Sequence, residues 1–140
     1  MILGPINIAS GDMNTYSIVM KLTFGNNKFL FTGDAQASNE KAMIKKGLDL
    51  SADVLKLGHH GSHTSTSQEF LYKVNPSYAV VSCGIENDYG HPHKEVMDSL
   101  QLKKVVVYRT DQSGTIVCTS DGKTISFNSK AGDYKYGSSN

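Results

Sequence analysis

Two adjacent histidines, His59 and His60, directly follow an apolar run at residues 54–57 that has the length and composition of a short buried strand. All five histidines of the 140-residue chain lie between His59 and His93. Side chains at the point where a strand becomes a loop are held by a rigid sheet and stay open to a ligand. Because neutral imidazole is the commonest side-chain ligand of transition metals, this motif indicates a metal or catalytic site.

A carboxylate follows a second predicted strand in the same way. Residues 28–32 form an apolar run that leads into Gly33 and Asp34. Taken alone, Asp34 would be an ordinary turn residue, and a single histidine would equally suit a solvated side chain. Together they are typical of hydrolytic metal sites, in which one carboxylate can bridge two ions about 3.5–4 Å apart.

The loop after the histidine pair is rich in hydroxyl groups, including those of Ser62 and Ser65. Such hydroxyls can orient metal ligands or hold substrate oxygens. Because neighbouring strand residues point to opposite sides, one of His59 and His60 is expected to face a metal and the other the substrate. The sequence leaves open which is which.

The elements that position these residues alternate between strands and short helices. A hairpin is predicted over residues 16–31, and Ser38 and Gly47 mark the start and end of a first helix. His91 is the predicted N-cap of a third helix, because Pro92 suits the first helical position. Further elements are predicted at residues 54–57 (strand), 68–74 (helix), 78–83 (strand), 104–109 (strand) and 115–127 (hairpin).

This order predicts an α/β fold in which helices pack on a mixed sheet and antiparallel hairpins lie at both ends. The strand ends that lead to Asp34, to His59 and His60, and to His91 are expected to meet at one edge of that sheet. Residues 1–127 are predicted to form one domain, and residues 128–140 a flexible tail. The first six residues look like a strand end entered partway, which suggests a segment of a longer protein.

Charge and composition argue against several classes of protein. The formal net charge is +1, and all but one of the fourteen basic residues are lysines. A chain with little net charge and only Arg109 as a guanidinium is not expected to be a dedicated nucleic-acid reader. Cys83 and Cys118 are expected to be small buried side chains. No run approaches the roughly 20 apolar residues of a transmembrane segment, and no apolar leader opens the chain.

Three ordered motifs make the chain resemble the metallo-β-lactamase superfamily: residues 32–35, residues 53–62 and residues 87–92. The branch that it resembles contains the soluble domain of the ComEC/Rec2 competence proteins and related free-standing hydrolases. The likeness runs from about residue 2 to residue 127 and includes Asn14 and Ser17.

The resemblance implies an αβ/βα sandwich of two sheets, with two divalent ions, Zn²⁺ or Mn²⁺, at the sandwich edge. It also implies that Asp34 bridges the ions, that one imidazole of the histidine pair is a ligand, and that His91 contacts a phosphate oxygen or leaving group. The expected metal ligands are Asp34, His59 and His60, the expected catalytic residues His60 and His91, and the expected substrate-binding residues Ser62, Ser65 and His91.

One family motif is absent. The His-x-His-x-Asp-His sequence supplies most ligands from the N-terminal half of the family domain, and no histidine of this chain precedes His59. The chain therefore resembles the C-terminal half only. Since a catalytic zinc ordinarily has three protein ligands, this chain alone is expected to bind metal weakly or not at all. Its sheet should expose an apolar face that pairs with the missing N-terminal half or with a second copy.

Two functions from different classes stay open. The first is part of a metal-dependent hydrolase, of nuclease or phosphodiesterase type, that acts through a metal-bound hydroxide. The second is a binding or structural fragment that is catalytically incomplete without its missing half. DNA, a teichoic-acid-like phosphodiester and a small ester all fit as substrates. A competence protein would place this domain at a membrane and outside the cell, whereas the free-standing relatives would be cytoplasmic or secreted.

Overall fold

A six-stranded mixed sheet forms the centre of the computed structural model, which describes residues 1–6 and 11–137. Strands β1 to β3 are antiparallel, and β3 to β6 are parallel. Strands β7 and β8 form a separate hairpin. The strands are β1 (Ile2–Gly4), β2 (Val19–Phe24), β3 (Asn27–Phe31), β4 (Val54–Lys56), β5 (Tyr78–Val81), β6 (Val106–Arg109), β7 (Cys118–Ser120) and β8 (Ile125–Phe127).

Each parallel crossover carries one helix, so the predicted α/β fold with helices packed on a mixed sheet is confirmed. Within the described residues, every helix is too short or too polar to span a bilayer. The helices are α1 (Ala37–Lys45), α2 (Gln68–Val74) and α3 (Lys94–Leu102), with a single turn, α4 (Thr110–Ser113), after β6.

The starts of two helices differ from the prediction. Helix α1 is capped by Gln36 instead of Ser38, because the Gln36 backbone N–H donates to the Asn39 side chain in a capping box. Helix α3 is capped by His93, so the prediction of His91 as its N-cap is wrong. The chain stays extended at His93, and the helix begins two residues later than the proline suggested.

One apolar core lies between the sheet and the three helices. Alternate sheet residues face it, which is the period-two pattern of a half-buried sheet. Val96, Met97 and Leu100 of α3 are all buried there, as their spacing predicted. The sheet residues that are fully buried include Val19, Leu30, Leu55, Ala79, Val81 and Val107.

The opposite face of the sheet is partly covered by the β7–β8 hairpin. Phe127 stacks on Tyr108 with 3.7 Å between the ring centroids and also contacts Tyr78. A groove of about 620 Å³ between hairpin and sheet is lined mainly by apolar side chains. Leu22 and Phe24 on this face are 49% and 53% exposed. The expected apolar face is therefore present, but the chain's own hairpin covers part of it.

The segment after β8 lies against the body of the protein. The Gly132 backbone N–H donates to Val107 O, and the Gly137 backbone N–H donates to Pro92 O, each at 2.8 Å. The Tyr134 hydroxyl donates to Val105 O at 2.7 Å. No helix or strand is formed in residues 128–137. The boundary at residue 127 and the flexibility of the tail stay predictions.

Candidate metal and catalytic site

The parallel strands bring the predicted site residues to one edge of the sheet. Asp34 follows β3, His59 and His60 follow β4, and His91 lies in the loop after β5. Asp34 Oδ1 lies 3.6 Å from His60 Nε2. The ring centroid of His91 is 6.0 Å from that of His60 and 5.7 Å from that of His59. The structure therefore brings these four residues together.

The histidine pair sits in a tight turn with an unusual backbone. His59 has φ 46° and His60 has φ 58°, so two adjacent non-glycine residues adopt the left-handed region. Such residues cost about 1–3 kcal/mol each and are common at functional sites. A Cβ at Gly58 would lie 2.9 Å from Ala35 O, and one at Gly61 would lie 2.8 Å from Pro92 Cβ. The two glycines thus let the turn pack against both neighbouring loops.

A backbone carbonyl fixes the hydrogen position of the His60 ring. His60 Nδ1 lies 2.6 Å from Ser82 O, and because a carbonyl only accepts, Nδ1 must carry the hydrogen. In the neutral ring, Nε2 then directs its lone pair toward Asp34. Histidine ligands of metals are commonly oriented by such a bond from their other nitrogen.

The facing atoms of His60 and Asp34 are placed so that they can share a positive charge. Two acceptors 3.6 Å apart repel each other unless Nε2 is protonated or a cation lies between them. A tetrahedral zinc ion, with bonds of about 2.0–2.2 Å, holds its ligand atoms about 3.4 Å apart, close to the observed separation. Asp34 and His60 therefore fit two ligand positions of one divalent ion.

Two ligands do not make a complete metal centre. A catalytic zinc ordinarily has three protein ligands. Within residues 1–6 and 11–137, no group of three or more His, Cys, Asp or Glu side chains is arranged to hold a metal ion. A complete metal centre would therefore need ligands from outside these residues.

His59 has different surroundings from His60. Its Nδ1 lies 3.2 Å from Thr64 Oγ1, and its ring is half-buried. The ring centroids of His59 and His60 are 6.2 Å apart. Since His60 is the one that faces Asp34, the geometry favours His60 over His59 as the ligand, a choice that the sequence left open.

His91 is a buried and neutral imidazole. It is 7% exposed, and burial together with the neighbouring imidazoles of His93, His59, His60 and His63 lowers its pKa to about 4. The Asn87 side chain accepts from the His91 backbone N–H at 2.9 Å and donates to the His91 carbonyl at 2.7 Å. The loop therefore holds His91 from both sides of its backbone.

A small cavity of about 210 Å³ lies beside this cluster. Burial raises the pKa of the Cys83 thiol, which lines the cavity, to about 11, so this thiol is protonated at neutral pH and is a poor nucleophile. The larger groove on the sheet face is lined by neither Asp34 nor any histidine. The cavity next to the histidines fits the chemistry better than this groove does, and its lining residues are His60, Cys83, Gly84, Asn87, Tyr89 and His91.

The two predicted substrate-binding serines are buried and bond within their own loop. Ser65 Oγ donates to Gly58 O at 2.7 Å and also lies 3.0 Å from Ser62 O. Ser62 Oγ accepts from the Thr64 backbone N–H and lies 3.0 Å from Thr64 Oγ1. These contacts stabilise the turn that presents the histidines. Their role in substrate binding stays a prediction, and none of these contacts supports it.

Two supporting residues were missed in the sequence. Glu40 of α1 is buried, and its carboxylate accepts from the backbone N–H groups of Thr66 and Ser67. Burial raises its pKa above the usual value. His93, which lies between the two histidine loops, was given no role from the sequence. The histidines on both sides of Pro92 were the only sequence signal for it.

The comparisons with known proteins agree with this architecture. A profile described as the Metallo-beta-lactamase superfamily matches residues 4–85, which is more than half of the chain. The chain belongs to the metallo-β-lactamase superfamily.

Its relatives place it in the ComEC/Rec2 branch of that family. It is 38% identical over 115 residues to ComE operon protein 3 of Bacillus subtilis, 40% identical over 115 residues to Recombination protein 2 of Haemophilus influenzae, and 41% identical over 106 residues to Competence protein ComA of Neisseria gonorrhoeae. These matches cover 82%, 82% and 75% of the chain, but only 15%, 14% and 15% of the relatives. The chain therefore corresponds to a small part of each of these longer proteins.

Proposed function

We propose that this chain is the C-terminal part of a metal-dependent hydrolase domain that acts on phosphodiesters. The observation that carries this proposal is the pairing of Asp34 with the His60 Nε2 atom at 3.6 Å, with the hydrogen of His60 held on its other nitrogen by Ser82 O. Family membership supports a hydrolase fold, and relatives named for competence and recombination favour DNA among the phosphodiesters.

Each residue of the cluster has a distinct part in this proposal. Asp34 and His60 would hold a Zn²⁺ or Mn²⁺ ion, and we propose that an N-terminal half of the domain supplies the remaining ligands, to complete a centre of two ions. When bound, such ions act as Lewis acids and make water a hydrolytic nucleophile at neutral pH. His91 is neutral near pH 7 because of its lowered pKa, so it would accept a hydrogen bond or proton at the mouth of the site.

The one arginine of the chain, Arg109, is not available to a phosphate. Arg109 is 3% exposed, and its guanidinium donates to both carboxylate oxygens of Asp111, at 3.0 and 2.6 Å. It is thus engaged in an internal ion pair and is not directed to a ligand. In this proposal His91 would contact a phosphate oxygen, and Asp34 and His60 would hold the ion that supplies positive charge beside it.

The incomplete ligand set favours one alternative, a binding or structural part that does no chemistry by itself. Hydrolysis of bis(p-nitrophenyl) phosphate, with Mn²⁺ or Zn²⁺ added, separates the two. We expect turnover by the longer protein that contains this chain, little or none by the chain alone, and loss of turnover in Asp34→Ala. The control is Asp88→Asn, which changes an exposed carboxylate in a neighbouring loop.

No turnover by the longer protein, or full turnover by its Asp34→Ala variant, would reject the proposed site. The membrane-associated, extracellular placement expected for the ComEC/Rec2 branch, and pairing of the sheet face with a second copy, stay predictions.

A further inference from the structure

His93 connects the two loops that carry the site histidines. Its backbone N–H donates to Gly61 O at 2.9 Å. Its Nδ1 accepts from the His63 backbone N–H at 2.9 Å, and its Nε2 lies 2.9 Å from Tyr89 O. The first two bonds reach the loop after β4, and the third stays within the loop after β5, which also carries His91.

These partners determine the protonation of the His93 ring. A carbonyl only accepts, so Nε2 carries a hydrogen, and a backbone N–H only donates, so Nδ1 carries a lone pair. His93 is therefore a neutral imidazole in a single tautomer. The His63 Nδ1 atom, 2.9 Å from His93 Nδ1, must then be a donor as well. The Nδ1 atom of His93 thus bonds to the loop after β4, and its Nε2 atom bonds within its own loop.

The same contacts exclude a direct catalytic part for His93. With Nδ1 accepting and Nε2 donating, neither nitrogen is available to a substrate or metal without breaking its bond to the His63 N–H or to Tyr89 O. The His93 ring also lies with its centroid 4.8 Å from that of His91, at an interplanar angle of 69°. Its contacts therefore reach the turn after His60 on one side and His91 on the other.

We propose that His93 is a positioning residue that sets the distance between His60 and His91. The inference rests on the proposed function for its catalytic meaning, but the geometric claim stands apart from it. No strand hydrogen bonds join the two loops. The contacts between them include the bond of His60 Nδ1 with Ser82 O, the approach of Gly61 to Pro92 and the bonds of His93. Loss of its side chain should let the loops separate while the sheet stays intact.

Two substitutions separate this role from helix capping, because serine and asparagine are both good N-cap residues. His93→Ser places a good N-cap residue at a position where His93 makes no side-chain capping bond, but serine is too short to reach either the His63 N–H or Tyr89 O. His93→Asn places an oxygen near the position of Nδ1, so it can still accept from the His63 N–H. The control is Lys94→Gln, since Lys94 contacts Asp98 and Tyr136 instead of the histidine loops.

The geometric measurement is the nuclear Overhauser effect between ring protons of His60 and His91, in the chain as it stands. Since this effect falls with the sixth power of distance, a displacement of about 1 Å from the 6.0 Å separation of the rings, enough to impair catalysis, weakens it about 2.5-fold. We expect at least that loss in His93→Ser, a smaller loss in His93→Asn, and no change in Lys94→Gln. If His93→Ser does not fold, the comparison between His93→Asn and Lys94→Gln decides, with a loss expected only in His93→Asn.

The catalytic measurement uses the longer protein and bis(p-nitrophenyl) phosphate. His93→Ser should lower kcat by about 10- to 100-fold with little change in KM, because misplacement affects the reaction more than binding. An unchanged His60–His91 effect in every folded His93 variant would overturn the positioning role. Absence of turnover in the unsubstituted protein would instead overturn the proposed function, and the geometric measurement would still decide on His93.

Discussion

Alanine at Gly61 should destabilise the protein more than alanine at a glycine that has the same backbone conformation but open space around it. Gly61 has φ 83°, and a Cβ there would lie 2.8 Å from Pro92 Cβ. Gly47, which follows α1, has φ 69°, and a Cβ there would have no heavy atom within 4 Å. Gly47→Ala therefore measures the backbone cost alone, and Gly61→Ala adds the contact between the two histidine loops.

The expected magnitudes follow from these two costs. An alanine in the left-handed region costs about 1–2 kcal/mol. Overpacking against a fixed neighbour adds about 1–3 kcal/mol, and Pro92 is buried and cannot rotate away. Gly47→Ala should thus lower the free energy of unfolding by about 1–2 kcal/mol, and Gly61→Ala by about 2–5 kcal/mol.

Urea denaturation followed by circular dichroism measures both variants against the unsubstituted chain. The Gly61→Ala transition should have its midpoint at the lowest urea concentration of the three proteins. Equal destabilisation by the two substitutions would refute the reasoning, because it would mean that the loop of His60 and the loop of His91 are not in close contact.

Three further outcomes are expected. Glu40→Gln should lower the free energy of unfolding by about 1–3 kcal/mol, because one of two charge-assisted bonds to the Thr66 and Ser67 N–H groups is lost. The control is Glu69→Gln, at an exposed carboxylate of α2, which should change the free energy of unfolding by less than about 0.5 kcal/mol in the same urea experiment. Burial lowers the pKa of His91 from 6.5 to about 4, so the unfolded chain takes up a proton before the folded chain does. The stability that depends on a neutral His91 is therefore complete above pH 6.5 and declines as the pH falls toward 4, by at most about 3 kcal/mol. A decline of the same size in His91→Gln would show that protonation of His91 is not its cause. Arg109→Lys loses the forked contact with Asp111 and the bonds from the guanidinium to the carbonyls of Asp133 and Lys135. The backbone amides of Gly132 and Gly137 should therefore exchange their hydrogens about tenfold faster. Unchanged exchange would show that Arg109 does not hold the segment after β8.

Local patterns were sufficient to predict most elements of the fold. The hairpin around Gly25 and helix α2 at Gln68–Val74 lie where turn residues and the following proline indicated. The edge of the sheet where Asp34 meets the histidines followed from strand order alone, because consecutive parallel strands end on the same side. These features depend on residues that are near one another in the chain.

Features that depend on distant residues, or on a choice between neighbouring candidates, could not be predicted. The Gln36 cap needs only Asn39, but the sequence offers Ser38 as an equally good candidate. Glu40 meets Thr66 only because α1 packs beside the loop before α2. The β7–β8 hairpin was predicted as a hairpin, yet its position over the sheet depends on ring contacts of Phe127 that no local pattern encodes.

The positions of hydrogen atoms in the site could not be predicted from the sequence either. The adjacent histidines attracted attention by type and spacing, but which one faces Asp34 depends on the left-handed turn and on the Ser82 carbonyl. The part proposed for His93 depends on three partners, of which His63 is thirty residues away. Protonation states and loop contacts of this kind come from the folded structure alone.

The central claim is that Asp34 and His60 together hold one divalent ion. Titration of Zn²⁺ into the ¹⁵N-histidine-labelled chain, followed at His60 Nε2 by NMR, tests it most directly. The account predicts a saturable shift at His60 Nε2 in the unsubstituted chain and in Asp88→Asn, and an apparent Kd at least about tenfold weaker in Asp34→Asn. An unchanged Kd in Asp34→Asn, or a response at His63 with none at His60, would contradict it.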